Sequence, residues 1–230
     1  VGGRQQEHGV NGTGAVDAQN LANPRLHQTD ASVGVRLAPA VERRYRRTDD
    51  VARTMDIESL VRAEKWGAAR VLIRTRLKRE PNNHWLLTRL GLTYYEQRKY
   101  QEALALHEEA VLLAPSCPLA LWDYAGGLQM LGRHRDALDV YRKLVRRGPN
   151  RIAFGPCGEG LAWANGLVAD CYYRMMDSLD ALGDKNEAFA MLVKHLDMRG
   201  PGCRSIYPLG QARKKGQALR QLRPSKAAGI

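Results

Sequence analysis

Acidic residues stop at Asp197, and beyond it the charges are all basic, among them Arg204, Arg213, Lys214, Lys215, Arg220, Arg223 and Lys226. Over the whole sequence 36 Lys and Arg stand against 24 Asp and Glu, a formal net charge of +12. That imbalance favours acidic surfaces, whether nucleic acid, anionic lipid or an acidic protein. No run approaches the roughly 18 consecutive apolar residues that a membrane helix needs, so a spanning helix is not expected. The opening Val-Gly-Gly-Arg has no apolar h-region, so no secretory leader is expected there and the location expected is cytoplasmic.

The four cysteines, Cys117, Cys157, Cys171 and Cys203, include no C-x-x-C pair, and no His stands at zinc-ligand spacing beside them. They are expected to be small packing thiols in a reducing compartment, with no metal and no cofactor. Gly155-Pro156-Cys157-Gly158-Glu159-Gly160 is rich in glycine but lacks the Gly-Lys-Ser/Thr end of a phosphate loop. The helix start that follows it is where an anion would sit, if anywhere. Cys157 has Glu159 near it in sequence but no His, so a structural loop cysteine is expected. The six His are dispersed. No nucleophile–base pairing is visible, and a non-catalytic protein is expected.

What is present is periodicity. Pro81, Pro115 and Pro149 recur every 34 residues, as do Ala69, Ala103 and Ala137, and Trp66, Tyr100 and His134. Within one period, Leu87, Leu90, Gly91 and Tyr94 mark one amphipathic helix and Tyr100, Ala103, His107 and Ala110 a second. Gln97-Arg98-Lys99 forms a short polar break between them. This pattern resembles the tetratricopeptide repeat, W-x₂-L-G-x₂-Y, then A-x₃-F, then P, with Leu87 in place of the Trp and His107 in place of the Phe.

The resemblance implies an all-α fold, a right-handed α-solenoid of about four helix-turn-helix repeats in which each pair covers its apolar face by stacking on the next. The first repeat is degenerate, with a helix start at Thr48-Asp49-Asp50, an apolar face from Val51, Met55, Ile57, Leu60 and Val61, and a break at Glu64-Lys65. In the third, Ala125 stands where the family has Gly, and Gly132 makes the turn. The register then slips, since Ala188 follows Ala137 by 51 residues, one period plus an insertion. The expected organisation is an arm at 1–46, rich in Gly, Asn and Gln, and a repeat domain at 47–202. The repeats fall at about 50–83, 84–117, 118–151 and 169–202, with an insertion at 152–168, and a basic tail occupies 203–230. A helix at 211–222 is expected to cap the array, weakly because of Gly216.

The resemblance further implies a concave groove lined by the first helix of each repeat. The family's groove positions fall here on Trp85, Thr88, Leu92 and Tyr95, then Leu119, Trp122, Gly126 and Gln129, then Asp170, Tyr173, Arg174 and Asp177. Aromatic anchors with a few polar handles suit a protein or peptide segment, Trp85 and Trp122 above all. The competing expectation is that the insertion or the N-terminal arm fills the groove. The chaperone-tail clamp of some family members, built from Lys, Asn and Arg, is excluded. Its positions hold Val51, Thr54, Met55, Glu58, Thr88, Arg89 and Leu92. The alternative function is a basic adaptor for nucleic acid or another polyanion, using Arg70, Arg74, Lys78, Arg213, Lys214 and Lys215.

Overall fold

A computed structural model describes residues 56–221, and all regular structure among them is helical. Within that span α1 covers residues 56–62, followed by α2 (Trp66–Leu77), α3 (His84–Tyr95), α4 (Tyr100–Leu113) and α5 (Pro118–Met130). Then come α6 (His134–Ala153), α7 (Leu161–Ala181), α8 (Lys185–Asp197) and α9 (Leu209–Gln221). The expected arm at 1–46, the helix start at Thr48 and the tail beyond 221 lie outside the described residues.

The period seen in the sequence is a period of turns. Glu64, Arg98, Gly132 and Gly183 all take left-handed backbone, with φ of 55°, 60°, 76° and 86°. Each closes the first helix of a pair in the same way. Lys65, Lys99, Arg133 and Asp184 donate their N–H to the carbonyls of Leu60, Tyr94, Leu128 and Leu179, at 2.9, 3.0, 2.9 and 3.0 Å. That six-to-one bond ties off a helix whose last carbonyls would otherwise lack donors. Starts are fixed more variously. Asn83 accepts from the Leu86 N–H, Asp184 accepts from the Glu187 N–H, and Pro118 opens α5, where a missing N–H costs nothing.

Small residues set how closely the helices of a pair approach. Ala69, Ala103, Ala137 and Ala188 are fully buried. Gly91 lies flat against the His107 ring, so that a methyl added to it would overlap the imidazole Nε2 and Cδ2 atoms. The helices then pack in chain order from α2 to α9, and α3 also touches α5 directly, first helix on first helix. Ile57, Ala69, Ile73, Leu86 and Leu90 form the core of the first pair and the helix after it. A larger cluster runs from Leu104 through Tyr141 and Met176 to Leu219.

The slipped register resolves into three pieces. The sixth helix carries Pro149 within its span. Gly148 breaks the helix with φ of 72°, and Pro149 then opens one further turn ending at Ala153. A loop follows, and α7 starts early, reaching 21 residues against 12 for α3. At the far end α9 buries Ala212 and Leu219. A Cβ at Gly216 would stand 3.2 Å from Leu192 Cδ2, where α9 lies against α8.

Candidate partner-binding face

The first helices α3, α5 and α7 present one side chain each in a row that crosses three repeats: Arg89, Asp123 and Arg174. They occupy one column of the repeat, separated by the same 34 and 51 residues as the turns. Arg89 Nε stands 2.6 Å from Glu58 Oε1 and its guanidinium lies over the Trp85 ring, 5.4 Å from the centroid. Arg174 lies 5.8 Å from the centroids of both Trp122 and Tyr207 and donates to Gln129 Oε1 and Tyr95 Oη at 3.2 and 3.3 Å. Between the two cations, Asp123 Oδ2 is enclosed and accepts no hydrogen bond from the described residues. Burial pushes its carboxyl up to about 7, and Arg89 and Arg174 pull the other way without winning.

Around that row the groove residues named from sequence divide by environment. Trp85, Leu92, Tyr95, Leu119 and Trp122 are half-buried, Trp122 packing on Tyr141 with centroids 5.6 Å apart. Thr88, Gly126, Gln129, Tyr173 and Asp170 are buried. The Thr88 hydroxyl donates to the His84 carbonyl at 2.8 Å. Gln129 bridges repeats, its Nε2 donating to the Arg174 carbonyl at 3.0 Å and its Oε1 accepting from Tyr141 at 3.4 Å. Of these, Gln129 holds a member of the row, Arg174, in place.

The fourth repeat's share of the face is occupied by the chain itself. Among the described residues the connector after α8 does this, not the insertion. Tyr207 stacks on Tyr173 with centroids 4.0 Å apart and planes 14° from parallel. Asp170 takes the Ser205 hydroxyl on one oxygen and the Ile206 N–H on the other, the latter at 3.0 Å. Lys215 reaches back from α9 to Asp177 at 2.9 Å. Gly166 permits the approach, since a Cβ there would overlap the Arg204 carbonyl. Tyr207 carried no signal in the sequence, because its partner lies 34 residues upstream, outside any helical period. Asp123 did carry one, since Arg89, Asp123 and Arg174 share a column, but its environment is set by burial.

A family model described as tetratricopeptide repeat matches residues 88–152. Over these residues the chain carries tetratricopeptide repeats. No curated protein matches it in sequence. Among solved structures, MamA from Desulfovibrio magneticus RS-1, from its residue 41 onward, superposes with a TM-score of 0.52 at 17% identity, covering 64% of this chain and 74% of that one. Another MamA structure gives 0.52 at 20% identity over 73% of this chain and 82% of its own. At such identities the likeness is one of fold. The tetratricopeptide match spans the second and third pairs, where the period is even, and stops where the register slips.

The basic residues named for a polyanion are partly engaged within the repeats. Arg70 donates to Gln97 Oε1 at 2.8 Å and to the Thr93 carbonyl at 3.3 Å, and lies 4.9 Å from the Tyr94 ring centroid. Arg74 donates to Tyr94 Oη at 2.6 Å. Lys215 is paired with Asp177, while Lys78, Arg213 and Lys214 are exposed. No described helix is long and apolar enough to cross a membrane.

Proposed function

We propose that this chain is a non-catalytic scaffold that holds a peptide or protein segment against α3 and α5, with Trp85 and Trp122 as its apolar anchors. The support is the row itself. Two half-buried tryptophans, each under an arginine, flank a carboxylate whose Oδ2 no described group satisfies. An enclosed acceptor without a donor is costly to a protein that gains nothing from it. A segment bringing a cationic or N–H donor to Asp123 and an apolar side chain to either Trp would relieve that cost and bury the rings. The four unbridged thiols support a reducing, cytoplasmic setting.

The test compares capture of partners from source-cell lysate by the wild type and by Trp85→Ala/Trp122→Ala, at low and moderate salt, with helicity checked by circular dichroism. The expected result is a partner retained at moderate salt by the wild type and lost by the helical double variant. Capture equal in both proteins sinks the proposal. An eluate rich in nucleic acid that vanishes with salt in both would instead favour the basic surface.

A further inference from the structure

The edge of the array holds a second constellation, away from the tryptophan row. In a stack of helical pairs the starts of the first helices and the ends of the second helices all come to one edge. His84 is the first residue of α3, Cys117 caps the start of α5, and Cys157 sits in the loop between α6 and α7. Though separated by up to 73 positions in the chain, they meet there. Cys157 Sγ stands 3.3 Å from His84 Nε2, and the ligand atoms of all three residues lie within 4.8 Å of one another. Along the chain none of these residues has a ligand at a recognised spacing, so the sequence alone points to no metal site.

We propose that His84, Cys117 and Cys157 form a binding site for a thiophilic divalent cation of the Zn²⁺ class. Two thiolates and an imidazole are the donor set that Zn²⁺ prefers, and hard cations such as Mg²⁺ and Ca²⁺ prefer oxygen. The spacing fits as well. Zn–S and Zn–N bonds of about 2.3 and 2.0 Å place tetrahedral ligand atoms about 3.5 to 3.8 Å apart. The separations here bracket that distance, so closing on an ion needs side-chain adjustments rather than backbone rearrangement.

The loop is built to present Cys157. Gly155 and Gly158 lie against the end of α6 so closely that a Cβ on either would overlap the carbonyls of Arg151 or of Ile152 and Ala153. Cys157 itself takes φ of 59°, a left-handed conformation that few non-glycine residues hold without a reason. Arg147 braces the floor, donating to the Ser116 carbonyl at 2.6 Å, next to Cys117. The glycine-rich run that failed as a phosphate loop thus works as a mount for a thiol. Cys117 is buried, His84 half-buried and Cys157 exposed, so three ligands come from the protein and the fourth position faces solvent. A site with an open position suits an exchangeable ion more than a permanent structural one. Once bound, the ion joins the edges of the second, third and fourth pairs.

The test uses the full chain, reduced and metal-free, titrated with Co²⁺ as a spectroscopic probe and then with Zn²⁺. One Co²⁺ per chain is expected, with tetrahedral visible bands and a thiolate charge-transfer band, both abolished by Zn²⁺. Cys157→Ser and His84→Gln should each weaken Co²⁺ binding at least tenfold while the protein stays helical. Zn²⁺ should also shield Cys157 from alkylation in the wild type, an effect Mg²⁺ does not reproduce. No thiolate band in the wild type, or a band of equal strength in both variants, would overturn the site. Both variants leave Trp85 and Trp122 untouched, so either outcome is independent of the partner-binding proposal.

Discussion

Two ionisable side chains on this array, both shifted by burial, oppose each other in pH. Burial holds the His107 imidazole down at about 4, below its ordinary value, so the folded state resists its protonation. The stability this contributes is present above about pH 6.5 and is lost as pH falls towards 4. Asp123 works in reverse. Its carboxyl titrates near 7 when folded, so the folded state keeps a proton that the unfolded chain has given up, and stability drains as pH rises from about 4 to 7. The slopes have opposite signs and similar limiting size, about 1.4 kcal/mol per pH unit each, over a shared window. Asp123→Asn removes one of them. Thermal melts from about pH 4 to 8 should show the variant more stable than wild type at the alkaline end, by about 1 to 3 kcal/mol. Its melting temperature should also fall more steeply on acidification. Parallel curves for the two proteins would place the Asp123 carboxyl in contact with water.

The turns are where the helical pairs differ from one another. All four share the left-handed residue and the six-to-one bond, yet two use glycine and two use Glu64 and Arg98. A side chain in that conformation costs roughly 1 kcal/mol, part of it returned because glycine gains more freedom on unfolding. Arg98→Gly is therefore expected to raise unfolding free energy by about 0.5 to 1 kcal/mol, and Gly132→Ala to lower it by about 1, in denaturant titrations. A gain from Gly132→Ala would show that the bond, and not the conformation, sets the turn. The turns also explain what was legible in the sequence. Columns such as Ala69, Ala103 and Ala137 repeat because each pair solves the same local packing problem, so the solenoid could be read from spacing. Pro149 keeps the same spacing, and the helix is broken one residue before it, at Gly148. The seat of Tyr207 on Tyr173 and the meeting of His84 with Cys157 depend on which surfaces stacking brings together. No short-range pattern encodes that.

Across the molecule, stability is distributed unevenly. In an array each pair touches only its neighbours, so local core and turn chemistry decide which part opens first. The pair α1–α2 rests on the smaller cluster around Ile57 and Ile73 and is joined by the strained turn at Glu64, whereas α5 to α9 share the large cluster and its glycine turns. Hydrogen exchange followed by mass spectrometry should find the amides of α2 exchanging well before those of α6 to α8. Uniform protection along the array would mean that it unfolds as one unit. The step between turns carries a further consequence, for how such a chain can grow. From Glu64 to Gly132 the turns advance evenly, and a tandem copy of residues 84–117 placed there meets neighbours of its own kind on both sides. From Gly132 to Gly183 the step is 51 residues, and the extra length is committed to the last turn of α6, the thiol-bearing loop and the long α7. A copied unit set across that joint would find no matching face. The array is extensible on one side of its third pair and closed on the other.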